Sequence, residues 1–485
     1  MLNDILLDIF NNFLKQPFGA SLIIKGKPGS GKTTFALELI DTIRGTSPAY
    51  YITTRFSLDP LKNKFPWITD FASNTGEKNR QPGEMTEAFK DNFNRLEKMI
   101  EEGRVSKSFA VSGEPGLVMN IQEILPELET LYKFVSDNIN KFPVVVVDSI
   151  EALAEKYDLD PSILFFVIQK DLVENSGANI IMIMEADKDT PLDYYADGVI
   201  KMNYSLTKNF LVRTVTIEKL RGVSIGSSPM YLYSLENGRF HSFNREVITY
   251  PTSRIKNVRK PEEKPFEVSL GIPELSKLLY TGTDKIPLGS VLMIHRETQS
   301  NSVDNYVNII KNNIIKFNVS NGHGVVDATS SNYESSKIFV NTLDPEWLKH
   351  YVTVERTDKT SPFIINIGGK SMLEDLPRDI LDYYLTNSKK PNVYIFSSDF
   401  LRFTYGESFF GDLLTIINSV RPSGIIIIIA DDEEYKKIYH YAGYTIHVND
   451  VNGYVMMNSN TSNLYVASIE KDSDKWPEIK LSIVV

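Results

Sequence analysis

Short apolar runs alternate with stretches of helical periodicity through the first half of the chain. Residues 21–25 (SLIIK) form one such run, followed by a glycine-rich turn and a helical stretch over 33–43. Residues 49–54 are rich in Tyr, Ile and Thr, side chains that suit a pleated strand. Residues 143–148 and 179–184 are nearly continuous apolar runs, the pattern of strands buried on both faces. Helical character marks 85–102 and 121–138. In the second of these Ile124, Leu125, Leu128, Leu131, Tyr132 and Val135 recur near a period of 3.6. Residues 74–84 are polar and broken by Pro and Gly, which predicts a loop. Strands separated by helices predict an α/β fold with a mostly parallel sheet.

The second half repeats the first. GANIIMIMEAD at 177–187 matches SGIIIIIADDE at 423–433, and DYYADGVIKMN at 193–203 matches IYHYAGYTIHVN at 438–449. VTIEKLRG at 215–222 matches ASIEKDSD at 467–474, and the strand ending in Asp148 matches 393–396. Several matches in one order predict duplicated α/β domains. Residues 250–265 hold three Pro and a cluster of Lys and Arg, which predicts a linker. The expected domains are therefore 1–249 and 266–485.

Composition narrows the function classes. The 485 residues suit two to four domains at about 150 residues each. A hydrophobic share of 42% and a charged share of 24% exclude a disordered or collagen-like chain. The absence of Cys excludes disulfides, thiolate zinc sites and a cysteine nucleophile. A net charge of −10 argues against a broadly basic surface for nucleic acid, though not against a local basic groove. The N-terminal stretch is amphipathic with early acids, unlike a signal peptide. The longest apolar runs, 144–147 and 425–430, are far short of the roughly 20 residues a membrane span needs. A cytoplasmic protein is expected.

Gly26-Lys-Pro28-Gly29-Ser30-Gly31-Lys32-Thr33 fits GxxxxGK[ST] between a predicted strand and a predicted helix. Glycines there let successive backbone N–H groups surround a phosphate, and the helix that follows presents its positive end. Lys32 supplies a point charge for the β/γ-phosphates and Thr33 a hydroxyl for Mg²⁺. Thr34 completes the nucleotide-binding stretch. The strand 144–148 carries Asp148 to its C-terminal end, where α/β sheets bind ligands. Asp148 is expected to hold the Mg²⁺ shell, and Ser149 to reach the γ-phosphate side or to cap a helix.

The pieces GKPGSGKTTFALELI, VVVVDSIEAL, DYYADGVIKM and IEKLRG resemble the KaiC/GvpD branch of the RecA-like ATPases. SLGIPELSKLL…IPLGSVLMI resembles the entry of a second KaiC domain. The resemblance implies two tandem RecA-like P-loop NTPase domains, with ATP and Mg²⁺ as cofactors and slow hydrolysis coupled to assembly or to a regulatory protein partner. It also implies a homo-oligomeric ring, a hexamer among the options. In such rings a Lys-x-Arg strand end reaches the neighbouring subunit's nucleotide, and Lys219 and Arg221 occupy that position. Autophosphorylation is a variant of this reading, and a non-catalytic ATP sensor and a RadA-like DNA-binding ATPase are the alternatives.

One departure concerns the water-positioning glutamates that KaiC-like hydrolases carry after the second strand. The segment here reads Tyr51-Ile-Thr-Thr-Arg55-Phe56, without a carboxylate. Arg55 would contact phosphate or a neighbouring subunit instead. Hydrolysis without that acid is expected to be slow, because positioning is most of phosphoryl-transfer catalysis. Glu185 is the candidate substitute or γ-phosphate sensor, with a solvated loop acid as the alternative.

The second domain is expected to be degenerate. Its phosphate loop falls on Arg296-Glu-Thr-Gln-Ser-Asn-Ser-Val303, without glycines or lysine and with Glu297 where phosphate would go. Ser397-Ser398 replaces the aspartate, although Asp399 is near. Lys471 survives at the Lys-x-Arg position, but Ser473 replaces the arginine. No tight ATP binding is expected there. Gly368-Gly369-Lys370-Ser371 lacks the first glycine of a phosphate loop and is expected to be a decoy. The six His show no metal-ligand spacing, and no chemistry is assigned to them.

Overall fold

The computed structural model describes residues 4–16, 18–53, 61, 63–68, 72–73, 126–156, 160–226, 228–245, 266–329, 339–357, 361–470 and 477–485. The expected loop 74–84, helix 85–102 and linker 250–265 lie outside these residues, as do Arg55, Lys471 and Ser473. The chain divides into two compact units, Met1–Phe243 with Val485, and Asn244–Val484.

The first unit opens with helix α1 (Ile5–Phe13). Asp4 caps it, its carboxylate accepting from the N–H groups of Leu6 and Leu7, and Phe10 and Phe13 point into the core. Nine strands follow: β1 (Ser21–Gly26), β2 (Ala49–Thr53), β3 (Ala72–Ser73), β4 (Val144–Asp148), β5 (Asn179–Met184), β6 (Gly198–Thr207), β7 (Phe210–Leu220), β8 (Met230–Ser234) and β9 (His241–Ser242). They form one sheet in the order β3-β2-β4-β5-β1-β6-β7-β8-β9. The first six are parallel to one another, and β7, β8 and β9 continue the sheet antiparallel. Helix α2 (Lys32–Ile43) follows β1 directly.

The apolar runs are continuous because both faces of the sheet are covered. Leu22, Ile24, Val144, Val146, Ile181 and Ile183 pack on one face with Phe10 of α1 and Phe35 of α2. Ile23, Val145, Val147, Ile180 and Met182 pack on the other with Leu153 and Phe165. Each fully buried side chain of this kind contributes roughly 1.5–3 kcal/mol.

The second unit begins with a short antiparallel pair, β10 (Glu267–Ser269) and β11 (Lys285–Pro287). Its main strands are β12 (Val291–Arg296), β13 (His323–Ala328), β14 (Tyr351–Glu355), β15 (Ile364–Asn366), β16 (Lys389–Ser397), β17 (Gly424–Asp431), β18 (Tyr444–Val451), β19 (Tyr454–Asn458), β20 (Tyr465–Glu470) and β21 (Glu478–Ile483). Their order is β15-β14-β13-β16-β17-β12-β18-β19-β20-β21. With the edge strand β15 set aside, this is the strand order of the first sheet. The isoleucine run alternates in the same way: Ile425, Ile427 and Ile429 face one core, and Ile426 and Ile428 the other.

Register places individual residues of the two units in correspondence. Lys25 pairs with Met184 and Asp148 with Ile183, while His295 pairs with Ala430 and Ser397 with Ile429. With 177–187 set on 423–433, Lys25 corresponds to His295, Gly26 to Arg296 and Asp148 to Ser397. The first two matched segments and the 393–396 match agree with this topology.

The third match does not. Residues 215–220 lie on β7, which pairs antiparallel with β6. Residues 467–470 lie on β20, which is separated from β18 by β19 and runs in the opposite sense to a β7 equivalent. Local likeness between two half-exposed strands does not fix sheet position. Residues 467–470 are therefore not topological counterparts of 215–218. Among the described residues, no helix is long and apolar enough to cross a membrane.

Candidate nucleotide site

The loop between β1 and α2 closes around its own lysine. Lys32 Nζ donates to the carbonyls of Gly26 at 2.7 Å and Lys27 at 3.1 Å. The same ammonium lies 3.0 Å from Glu185 Oε2, just past the end of β5. Gly29 and Gly31 have φ of +80° and +91°, values that L side chains rarely adopt. A Cβ at Gly31 would also come within 2.7 Å of Leu235 Cδ1, whereas one at Gly29 would meet nothing within 4 Å. The turn therefore keeps an open position on one side and a tight one on the other.

Beside the loop, Thr33 Oγ1 donates to Asp148 Oδ2 at 2.7 Å, and the Tyr51 hydroxyl donates to the same oxygen at 2.6 Å. Asp148 is buried at the end of β4, and Tyr51 is buried on the adjacent β2. Burial, with the Asp148 charge beside it, pushes the Tyr51 phenol well above its ordinary range, so it remains a neutral donor. Phosphate and Mg²⁺ fit this set of groups. Ser30 Oγ is buried in the loop and has no hydrogen-bond partner. The hydroxyl of Thr33 and the carboxylate of Asp148 are hard oxygen donors of the kind Mg²⁺ takes.

The GvpD gas vesicle protein P-loop domain matches residues 10–220, and GvpD basic region 2 matches residues 302–485. The chain is GvpD-like over both matched stretches. Protein GvpD2 of Halobacterium salinarum is 23% identical over 286 residues, which are 56% of this chain and 51% of that protein. Protein GvpD1 of the same organism is 24% identical over 290 residues, 58% of this chain and 48% of that protein. The chain spans about half the length of the curated relatives it matches. A KaiC-like protein from Pyrococcus horikoshii superposes with a TM-score of 0.32 at 20% identity, over 47% of this chain and 91% of that one. A P-loop domain of this family implies nucleotide binding, usually with Mg²⁺.

Lys32, Thr33, Asp148 and Glu185 thus meet at one site of this GvpD-like domain. The other expected residues have different surroundings. Ser149 is buried, and its hydroxyl accepts from Ala152 N at 3.4 Å, capping the helix Ile150–Lys156. Thr34 is buried within α2, and the Pro28 carbonyl accepts from the Tyr204 hydroxyl at 3.5 Å.

Lys219 and Arg221 sit at the far end of the sheet. Gly26 is level with Met202 and Val215, whereas Leu22 is level with Gly198 and Leu220. Four residues of strand separate the two levels, about 13 Å. A bulge at Glu218 precedes Lys219, β7 ends at Leu220, and Arg221 lies just past the strand. Lys219 Nζ donates to the carbonyls of Asp193 at 3.2 Å and Tyr194 at 2.7 Å. Burial and the nearby Arg221 charge lower its pKa. Arg221 is exposed and pairs with Asp197 at 3.2 Å.

Two positioning groups escape linear reading. Tyr51 is 97 residues from Asp148 in sequence and reaches it only through the β2–β4 pairing. Glu151 Oε1 accepts from Glu185 N at 2.9 Å and fixes the backbone that aims Glu185 at Lys32. We expect Tyr51→Phe to cost about 1.5–3 kcal/mol, the range for a hydrogen bond to a charged group. Urea denaturation followed by far-UV circular dichroism checks this.

The second unit fills the corresponding place with its own charges. Arg296 pairs with Asp304 at 3.1 Å, Asp431 at 2.8 Å and Asp399. Asp399, the acid near Ser397-Ser398, is thus committed to Arg296. Gly368-Gly369-Lys370-Ser371 is occupied as well: the Gly368 and Gly369 amides donate to the Asp375 carboxylate at 3.0 and 2.7 Å.

Proposed function

We propose that the chain is a regulatory ATPase of the GvpD type. Its first unit binds Mg·ATP in the loop 26–34, hydrolyses it slowly, and couples occupancy to assembly or to a protein partner. The observation that carries this reading is the Thr33–Asp148 contact between the start of α2 and the end of β4, beside the loop that Lys32 closes. Thr33 and Asp148 would hold Mg²⁺, which supplies charge neutralisation for the β/γ-phosphates. Lys32 would turn from the loop carbonyls and Glu185 toward phosphate. The Tyr51–Thr53 end of β2 carries no acid to orient water, which supports slow turnover.

A non-hydrolysing sensor is the second reading, favoured by the Lys32–Glu185 pair. A γ-phosphate competing for Lys32 would release Glu185, so occupancy alone would change the charge at the end of β5. The separation of Lys219 and Arg221 from their own loop supports action on a neighbouring copy, and hence a ring. The second unit, with the strand order of the first and Arg296 in place of a phosphate loop, is proposed as a degenerate RecA-like domain for assembly or docking. The net charge of −10 leaves a RadA-like DNA-binding role least supported. The matched family's description as a gas vesicle protein supports a regulated process connected with gas vesicles. A cytoplasmic location is part of this proposal.

Steady-state phosphate release from Mg·ATP tests it, with Lys32→Ala and Arg221→Ala beside the wild type. Slow turnover lost in both variants is expected. Undiminished turnover in Arg221→Ala would remove the shared site, and no wild-type turnover above the Lys32→Ala blank would leave only the sensor.

A further inference from the structure

Three side chains of the second unit meet at the end of β12. His295 is the penultimate residue of that strand, Glu297 follows its last, and His447 is the register partner of His295 on β18. His295 Nδ1 lies 3.0 Å from His447 Nδ1 and 4.0 Å from Glu297 Oε1, and His447 Nδ1 lies 3.2 Å from the same carboxylate oxygen. The remaining nitrogen of each ring is engaged. His295 Nε2 is 2.8 Å from Asp432 Oδ1, and His447 Nε2 is 2.8 Å from Asn460 Oδ1. Both of these oxygens are acceptors, so each Nε2 carries its ring's proton. Two imidazole lone pairs and a carboxylate then converge on a single point, an arrangement that calls for a positive charge between them.

A shared proton bridges only two of these three atoms, whereas a metal ion takes all three. A metal ion fits the spacing. Tetrahedral bonds of about 2.0–2.1 Å set ligand atoms roughly 3.3 Å apart, and the observed separations bracket that value. Asp432 and Asn460 are the outer hydrogen-bond partners that fix ring orientation at metal sites. Tyr435 stacks on the His295 ring at 3.9 Å between centroids and shields it.

The duplicated topology gives an independent parallel. His295 corresponds to Lys25, whose buried ammonium sits among Asp189, Asp193 and Glu218. The first sheet therefore holds a cation at this level already. We propose that His295, His447 and Glu297 bind a first-row divalent metal ion of the zinc class. Two imidazoles and a carboxylate suit zinc better than Mg²⁺ or Ca²⁺. The ion would tie β12 to β18 in the unit whose phosphate loop is lost, with a fourth coordination position left for water.

The test uses the untagged full-length chain, stripped with a chelator and titrated with Co²⁺ in the visible range. One Co²⁺ per chain is expected, with d–d absorption that Zn²⁺ displaces and excess Mg²⁺ does not. Glu297→Gln keeps the side chain's shape and should weaken binding at least about tenfold, as should His447→Ala; Asp432→Asn should weaken it by about tenfold. Lys32→Ala should leave it unchanged, which separates this site from the nucleotide site. An absence of saturable Co²⁺ binding in the wild type would overturn the proposal. So would binding that Glu297→Gln and His447→Ala leave intact.

Discussion

Lys32→Ala should weaken Mg·ATP binding by at least about 30-fold, because truncating one partner of a desolvated charge contact costs about 2–5 kcal/mol. The lysine has two tasks in this fold. Its ammonium bonds two carbonyls of its own loop, Gly26 and Lys27, and so helps to keep the loop in shape. Under the proposed function it is also the cation that would turn from these carbonyls to the phosphate. Arginine is not a substitute, since a planar fork cannot take the place of a compact ammonium between two carbonyls. Glu185→Gln should shift binding in the opposite direction. It removes the carboxylate 3.0 Å from Lys32 that competes with phosphate, so affinity should rise several-fold. If Glu185 also stands in for the missing water-positioning acid, the same variant should lose turnover while binding more tightly. Calorimetric titration with a non-hydrolysable ATP analogue checks both signs. Wild-type affinity in Lys32→Ala would remove the site assignment.

Lys25→Met should be the most destabilising single change in the first unit. The Lys25 side chain is 1% exposed and lies 3.1 Å from Asp189, 2.7 Å from Asp193 and 2.7 Å from Glu218. Burial alone would pull its pKa down, but the hydrogen bonds to Asp193, Glu218 and Asp189 outweigh burial and leave it above the ordinary lysine value. Methionine fills the space and leaves three carboxylates facing one another. Breaking the pairs with the more buried Asp193 and Glu218 in this way costs up to about 3–5 kcal/mol, or about 10 °C in the unfolding midpoint of a unit this size. The pH dependence has a definite sign. Lys25 holds the Asp189 carboxyl below its ordinary range, by hydrogen bond first and charge second. That contribution is present above the unfolded carboxylate pKa and is lost as pH falls through the folded one. The variant has no such contribution to lose and is relieved of repulsion as its acids protonate. The two midpoints should therefore differ most near neutral pH and converge toward pH 4. A constant gap across that range would mean that lost packing, not charge, is the cause.

The sheet and the phosphate loop were legible in the sequence for a physical reason. Strands such as 144–148 and 424–431 are buried on both faces, so they appear as unbroken apolar runs, and a phosphate loop needs its residues in one short stretch. The clusters around Lys25 and His295 were not legible. Lys25 reaches Glu218 only because β7 pairs with β6 beside β1, and His295 reaches His447 only because β18 lies beside β12. Ligand spacing along the chain therefore misses the histidines, which are 152 residues apart. The part of the match of 215–222 to 467–474 that lies on β7 and β20 failed for a related reason. Short strands of similar sequence carry no record of which neighbour they pair with, and only pairing distinguishes β7 from β20.

The distance between Gly26 and the Lys219–Arg221 end of the sheet bears on how activity scales with dilution. If the two cations serve a neighbour's phosphates, a lone chain has a nucleotide pocket but only half of the chemistry. Turnover per chain then rises with protein concentration and levels off once copies associate, while nucleotide occupancy stays the same throughout. Expression level itself would then set the output. A cell that makes twice as much of the chain at low abundance would gain about fourfold in total hydrolysis, as mass action on a two-copy site requires.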